Sequence, residues 1–188
     1  MKLREHRSFV RFWIASTTSS FGTYITTLAL QVLVVGNMGG SAVDVGWVSA
    51  SRWLPYVLLG LIAGVLVDRF HRKTVLAVTD MGRSIILAFI CLMSITGVIS
   101  IGWLMFLLVL FGALSLFNDT AYQSFVPQIV PRHLLTRANA RLEQSSAVAE
   151  TSGPAIGGGL VSLIGAPFAL LFDALSYLFS GVLMASIK

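Results

Sequence analysis

The sequence predicts an all-α integral membrane protein, and three observations support this fold class. Of the 188 residues, 56% are hydrophobic and only 11% are charged, whereas soluble proteins carry roughly 25% charged residues. The mean hydropathy is +0.85. The apolar residues are gathered in long runs with no sustained period of two, which indicates helices rather than strands.

Six apolar stretches are long enough to cross a bilayer as helices. A spanning helix needs about 20 residues, because the hydrocarbon core is about 30 Å thick and each residue rises about 1.5 Å. The charged N-terminus is similar to the start of a signal peptide, but the run behind it is long, rich in Ser and Thr, and has no clear cleavage site. We therefore predict one six-helix bundle over residues 1–188, with spans at about 12–35, 45–67, 75–98, 103–125, 139–163 and 167–186.

The basic residues that flank the predicted spans all lie at one end. They are Lys2, Arg4, Arg7, Arg11, Arg69, Arg72, Lys73, Arg132, Arg137, Arg141 and Lys188. The opposite connections, near 36–44, 99–102 and 164–166, contain no Lys or Arg. The positive-inside rule then predicts a multi-pass protein of the cell membrane with both termini in the cytoplasm.

The same distribution argues against a nucleic-acid-binding protein and against an enzyme. The net charge of +5 comes from residues that flank spans, so it fixes topology and forms no nucleic-acid surface. His6, His71 and His133 are scattered, and the sequence holds no metal-ligand cluster, phosphate-binding loop or Ser-His-acid arrangement. Cys91 is the only cysteine, so no internal disulfide can form. We expect no cofactor.

The gap between the second and third spans contains a dense group of charges. Its sequence, GVLVDRFHRK, begins at Gly64 and ends at Lys73. The chain matches the pattern G-x-L-x-D-R-x-G-R-K-x-x-L through Gly64, Leu66, Asp68, Arg69, Arg72, Lys73 and Leu76. This pattern is the loop signature of the major facilitator superfamily, and it lies where that family has it. The chain thus resembles the N-terminal six-helix half of a major facilitator transporter.

Two further segments extend the resemblance over all six spans. SGPAIGG is similar to the family's antiporter signature, G-x-x-x-G-P-x-x-G-G, through Gly153, Pro154, Gly157 and Gly158, with Ala149 at the leading glycine. VPQIVPRHLLTRANA is similar to the branch that includes macrolide and siderophore exporters. Since the family has twelve spans, the resemblance implies a second six-helix half, either in the same chain or in a dimer.

A faint period of three spans predicts two inverted three-helix repeats. Arg52 and Glu150 each lie about one turn before a proline, in spans two and five. Asp80 and Asp173 occupy similar depths in spans three and six. Because three is an odd number, the second triplet would cross the membrane inverted relative to the first, as in secondary transporters.

The charged loop is predicted to act as a conformational latch. Asp68 lies at the C-terminal end of a helix, where the dipole disfavours an anion, so it needs a cation or a helix N-terminus as partner. Such a charge cluster can close one conformation and release in another; the alternative is that the motif only orients the protein. His71 replaces the glycine of the signature and would be strained in a left-handed conformation. We assign to this latch loop Gly64, Asp68, Arg69, Arg72 and Lys73.

Glycines spaced four apart offer flat faces for close helix contact. One face combines Gly60 with Gly64, and the other combines Gly153 with Gly157. Pro154 removes a backbone donor and can bend its helix. The resemblance implies that these faces meet the second half, and ordinary packing is the alternative.

Polar residues form a continuous face along the first span and recur in the fourth. Ser16, Ser20, Thr23, Thr27 and Gln31 follow helical spacing, and Ser115, Asp119 and Tyr122 do so in span four. Such faces either line a water-accessible path or hold helices together, and the resemblance favours the path. The predicted cavity lining is Ser20, Thr23, Thr27, Gln31, Arg52, Ser115 and Tyr122.

Ionisable residues inside the predicted spans must pair or face water, because each costs about 2.5–3.5 kcal/mol at the helix centre. Asp80 and Arg83 are three apart on one helix and are predicted to pair. Glu150 lies closest to mid-depth with no cation within a turn, so it is the first candidate for a coupling proton. A pair with Arg52 is the alternative. Asp119 is the second candidate, or is simply solvated.

The resemblance implies a secondary active transporter that couples proton entry to the efflux of amphiphilic small molecules, such as drugs or siderophores. Its partners would be the lipid bilayer, the substrate and protons. An importer on the same scaffold is one alternative. A membrane interaction protein or an inactive fragment that transports nothing is the other.

Overall fold

The computed structural model describes residues 6–187, which fold into six long helices. Lys2, Arg4 and Lys188 lie outside the described residues. The helices are α1 (Arg7–Val32), α2 (Ala42–Asp68), α3 (Arg72–Ile95), α4 (Ile101–Ile129), α5 (Leu135–Ile164) and α6 (Ala166–Ala185). The π-helical turn Leu33–Asn37 extends α1, and the 3-10 turn Arg132–Leu134 precedes α5. The predicted span ends and these helix ends differ by at most five residues.

Short polar or glycine-containing connections explain where several helices begin. The Ser41 hydroxyl accepts a hydrogen bond from the Asp44 amide, and the Asp44 carboxylate accepts the Ser41 amide at 2.7 Å, which makes a capping box at the start of α2. Ser100 caps α4 by accepting the Trp103 amide at 3.3 Å. Gly165, with φ of 84°, lets α6 follow α5 with a single residue between them.

Five of the six helices have the length and composition of membrane spans. The helix outside this group is α5, which has 30 residues and is long enough to cross. It carries Arg137, Arg141, Glu143 and Glu150, and these charges lower its hydropathy. The described residues contain no strand.

The six helices pack side by side in the order α2, α4, α3, α6, α1, α5. The pair of α3 and α6 forms the middle of the bundle, and α2 and α5 form its two margins. Because α2 packs mainly on α4, much of its apolar surface is uncovered; Leu61 is 98% exposed. A surface of this kind is expected to contact lipid or another protein.

Hydrophobic clusters fill both ends of the bundle. We call the end at which α1, α3 and α5 begin the basic end, because the described loop cations lie there. Phe12, Val67 and Met184 pack in the cluster at the basic end. Leu33 and Leu104 pack in the cluster at the opposite end. Asp80 and Arg83 of α3 are buried between Ala77, which belongs to the first cluster, and Leu87, which belongs to the second.

Candidate functional site

Three ionisable residues are buried midway along α3 and α6. Asp80 is 2% exposed, Arg83 is 5% exposed and Asp173 is fully buried. We call these three residues the central cluster. Breaking a buried ion pair leaves an uncompensated charge, which is strongly destabilising, so the neighbours of each residue decide how the cluster behaves.

Asp80 accepts hydrogen bonds from three helices. Arg83, one turn later on α3, forms with it the salt bridge that their spacing predicted, so that prediction is confirmed. On α4, Asn118 Nδ2 donates to Asp80 Oδ1 at 3.1 Å. On α6, Ser180 Oγ donates to Asp80 Oδ2 at 2.6 Å. The carboxylate therefore ties α3 to both of its neighbours.

The guanidinium of Arg83 lies over an aromatic ring on α6. Its Cζ is 4.3 Å from the ring centre of Tyr177, a cation–π geometry. The Tyr177 hydroxyl is 2.8 Å from Oγ1 of Thr23, which connects this contact to α1. Within residues 6–187, Arg83 Nε is buried and has no hydrogen-bond partner. Arg83 thus has an unused donor in the centre of the protein.

Asp173 is held by hydroxyl groups. Thr26 Oγ1 on α1 donates to its Oδ2 at 2.5 Å, and Ser176 Oγ donates to its Oδ1 at 2.7 Å. No salt bridge to Asp173 is present in the described part of the chain. A Cβ at Gly22 would overlap the Asp173 carboxylate, so the glycine permits the close approach of α1 and α6.

A cavity of about 220 Å³ opens onto the central cluster. Residues of α1, α3, α4, α5 and α6 line it. Asp80 and Arg83 line this cavity, whereas Asp173 does not. Of the predicted lining, it contains Ser20, Thr23 and Tyr122.

A second cavity, of about 130 Å³, lies towards the opposite end between α1, α2 and α4. It contains the other predicted lining residues Thr27, Gln31 and Arg52. Arg52 Nη1 donates to Thr27 Oγ1 at 3.2 Å, and its guanidinium lies 5.1 Å from the ring centre of Phe111. The polar face of α1 is therefore divided between two cavities.

Ser115 lines neither of these two cavities, and its place in the lining stays a prediction. Its side chain is buried, and its hydroxyl donates to the Phe111 carbonyl of the same helix at 2.9 Å. Glu143 does line the larger cavity, although the sequence analysis did not single it out. Its position two turns before Glu150 on the same face of α5 was the available signal.

The two predicted proton carriers lie at exposed positions. Glu150 is exposed and forms no salt bridge with any described residue. The alternative that Glu150 pairs with Arg52 is wrong, because Arg52 bonds to Thr27 instead. Asp119 accepts a hydrogen bond of 2.6 Å from the Tyr56 hydroxyl, so it is partnered as well as exposed.

The latch loop forms an ion pair across the turn between α2 and α3. Arg72 Nη2 lies 2.8 Å from Asp68 Oδ1, and the two side chains are 29% and 65% exposed. Arg69 is the C-cap of α2. His71 has φ of −67° and ψ of 115°, an extended conformation that caps α3. The expectation of left-handed strain at His71 is therefore wrong, because the turn needs no residue with positive φ.

The two glycine faces have different surroundings. A Cβ at Gly153 would lie 2.7 Å from Cβ of Tyr24, and one at Gly157 would lie 3.2 Å from Cα of Ile25. This face packs against α1, so the expectation that it contacts the second half is wrong. A Cβ at Gly60 or Gly64 would meet nothing within 4 Å.

Beside this face, Pro154 is exposed within α5, and a Cβ at Gly158 would lie 3.7 Å from Leu28. Lys73, the last residue of the latch loop, lies in the first turn of α3 at the basic end.

A family model described as a transmembrane secretion effector matches residues 3–188 of this chain. The chain belongs to the major facilitator superfamily. It is therefore a member of a transporter family and not an enzyme, as the sequence indicated. Its helices cross a membrane as a multi-pass protein.

Several curated major facilitator proteins are similar to nearly the whole chain. The uncharacterized MFS-type transporter YkuC of Bacillus subtilis is 26% identical over 188 residues, covering 100% of this chain and 43% of the relative. The staphyloferrin A transporter of Staphylococcus aureus is 25% identical over 167 residues, covering 88% and 42% respectively. Macrolide efflux protein A of Streptococcus pyogenes is 21% identical over 180 residues, covering 96% and 44%. The chain thus spans less than half the length of these relatives, and no solved structure matches it significantly.

Proposed function

We propose that this chain forms the N-terminal half of a secondary active transporter that exports amphiphilic small molecules in exchange for protons. The observation that carries the proposal is the cavity beside the central cluster. It places hydroxyl, amide and ionisable groups from five helices around one space of about 220 Å³ within an otherwise apolar bundle. Ionisable groups inside membrane proteins mark substrate and proton pathways. Among the relatives, one is a macrolide efflux protein and one a multidrug efflux pump, which supports efflux of amphiphilic substrates.

The helix order supports two inverted three-helix repeats. If α1, α2 and α3 are exchanged with α4, α5 and α6, the order α2, α4, α3, α6, α1, α5 becomes its own reverse. Asp80 and Asp173, which occupy equivalent positions in α3 and α6, then both belong to the layer on the pseudo-two-fold axis. Inverted repeats of this kind are typical of secondary transporters.

A second six-helix half, in the same chain or in a dimer, would complete the transporter. The exposed apolar face of α2 supports this, since Leu61 is 98% exposed and a Cβ at Gly60 or Gly64 would meet open space. Lipid would cover the remaining apolar surface.

The orientation follows from the cations at the basic end, which the positive-inside rule places in the cytoplasm of a cell membrane. Single cysteines at Arg72 and Ser41, in a Cys91→Ala background, would be exposed to an impermeant thiol reagent in intact cells. We expect labelling at position 41 and not at position 72. The reverse pattern would overturn the orientation.

Substrate flux in proteoliposomes tests the function. The full-length protein that carries this chain would be reconstituted and supplied with a macrolide or a siderophore, with and without an imposed pH gradient. Exchange for protons predicts accumulation of substrate when the lumen is acidic. Accumulation with an acidic exterior would support the importer, and flux no greater than that of empty liposomes would support a protein that transports nothing.

Glu150 and Asp119 are the proton carriers that the sequence analysis proposed. Each is an exposed carboxylate on a cavity-forming helix. Glu150→Gln mimics the protonated side chain, so it should bind substrate yet lose the dependence on the gradient if Glu150 carries the proton.

A further inference from the structure

We infer that the coupling proton binds instead to the central cluster, at Asp80, and that Arg83 then pairs with Asp173. This inference rests on the proposed function. The cluster contains two carboxylates and one guanidinium, all at most 5% exposed. With both carboxylates ionised, its net charge is −1, which is costly in a buried site. One proton bound to Asp80 makes the cluster neutral.

The proton reaches Asp80 through the larger cavity. Asp80 and Arg83 line this cavity, whereas Asp173 is fully buried and lies outside its lining. Of the two carboxylates of the cluster, the larger cavity therefore reaches only Asp80. Ser180 and Asn118 remain beside Asp80 and can bond to the neutral acid through its two oxygens.

Charged and titratable groups reach the cluster from every neighbouring helix except α1. From α1, it is the hydroxyls of Thr23 and Thr26 that contact Tyr177 and Asp173. The groups on the other helices are Arg52 and Tyr56 of α2, Asp119 and Tyr122 of α4, Glu143 of α5 and Tyr177 of α6. Within this set Arg52 is the only other cation, and it bonds to Thr27 at the second cavity. Arg83 is therefore the cation for which Asp80 and Asp173 compete.

The geometry of Arg83 favours this change of partner. Ser84 Oγ donates to the Ala174 carbonyl at 2.6 Å, so the residues next to Arg83 and Asp173 are in direct contact. The guanidinium already lies over Tyr177, one helical turn after Asp173. Its Nε has no partner within residues 6–187. Rotation of the Arg83 side chain is the movement by which its charge would approach Asp173.

The change of partner would give protonation a structural consequence. While Asp80 is unprotonated, Arg83 bonds to it within α3. After Asp80 is protonated, Arg83 would link α3 to α6, which contacts α1 through Asp173 and Thr26. A proton shifts a conformational equilibrium only where the two states differ in their interactions with it. Glu150 has no salt-bridge partner among the described residues, so its protonation breaks no ion pair in this half.

The test combines infrared spectroscopy with flux measurements on the full-length protein in lipid. pH-difference infrared spectra report the carbonyl stretch of carboxyl groups as they take up protons. We expect wild type to show such a band, Asp80→Asn to lack it, and Glu150→Gln and Asp119→Asn to retain it. A band that persists unchanged in Asp80→Asn would overturn the inference. A band that disappears in Glu150→Gln would also overturn it.

In proteoliposomes, Asp80→Asn should retain substrate exchange at equal pH and lose the response to a pH gradient. Glu150→Gln separates the two assignments, because loss of the response in this variant and not in Asp80→Asn would overturn the inference. Asp80→Glu keeps the carboxylate and should restore the response with a displaced pH profile, which a purely structural role of Asp80 would not explain. If Asp80→Asn does not fold, the variants Arg83→Lys and Asp80→Glu test the inference. Both should displace the pH profile of substrate flux. Unchanged profiles would overturn the inference. If wild type shows no flux, the proposed function fails, and the infrared band alone decides whether the cluster binds a proton.

Discussion

Two acid–arginine pairs lie close together in the chain, one at the start of α3 and one within it, and their surroundings differ. Asp68 and Arg72 pair across the turn at the basic end, with side chains 65% and 29% exposed. Asp80 and Arg83 pair within α3, with side chains 3% and 6% exposed. The same two residue types at nearly the same spacing therefore occupy solvent in one case and the protein centre in the other.

The exposure of each pair determines what opening it costs. An exposed pair contributes about 0–1 kcal/mol, so it opens easily and suits a latch that must close and release. A buried pair costs about 3–5 kcal/mol when one partner is removed. The central pair therefore opens only when a proton or another charge compensates, which makes it suited to coupling rather than to latching.

Removing the central cation should have the largest effect. Arg83→Ala leaves Asp80 without a cation, and we expect the free energy of unfolding to fall by about 3–5 kcal/mol. Denaturant titration of the protein in mild detergent measures this. The double variant Asp80→Asn with Arg83→Gln should recover part of the loss, because no buried charge remains unpaired. A fall in the free energy of unfolding below about 1 kcal/mol, as expected for the latch pair, would contradict the difference described between the two pairs.

A steric change beside the central cluster should have an intermediate effect. In Gly22→Ala the new Cβ meets the Asp173 carboxylate and Ser176, so we expect a loss of about 1–3 kcal/mol. Gly60→Ala is the matched control, because its Cβ meets nothing within 4 Å. The control should be unchanged or slightly more stable, since alanine favours the helix. Thermal unfolding of both variants in one detergent compares them directly, and equal losses would contradict the packing described for Gly22.

Opening the exposed pair should have the smallest effect on stability. Asp68→Asn removes its charge, and we expect a change below about 1 kcal/mol that shrinks further at high salt. Transport should nonetheless be impaired, because the pair would stabilise one conformation more than another. Unfolding and flux are measured on the same preparation. A variant that unfolds as wild type does and also transports as wild type does would remove the latch role.

The local features of the fold were predictable from the sequence. Helix positions follow from long apolar runs, and the pair of Asp80 with Arg83 follows from their separation of three on one helix. The ion pair at Asp68 follows from its place at a helix end, which demands a cation. In each case the partners lie within one turn of each other.

Long-range contacts were not predictable. Thr26 and Asp173 are 147 residues apart, so no local pattern indicated that hydroxyls would hold this carboxylate. The use of Gly153 against Tyr24 depends on which helices become neighbours, and a small-residue pair does not name its partner. The burial of Ser115 away from both cavities was not predictable for a related reason: helical spacing identifies a face, but not whether that face meets a cavity or a helix.

The centre of this half is predicted to open to a water-filled cavity bounded by the polar face of α1. Single cysteines at Ser20, which lines the cavity, and at Ser115, which is 6% exposed, test it in a Cys91→Ala background. A charged thiol reagent would be applied to the full-length protein in lipid, and the labelling rates compared. We predict that the cysteine at position 20 reacts and that the cysteine at position 115 does not. An unreactive cysteine at position 20, or equal labelling rates at both positions, would contradict the predicted water-filled cavity.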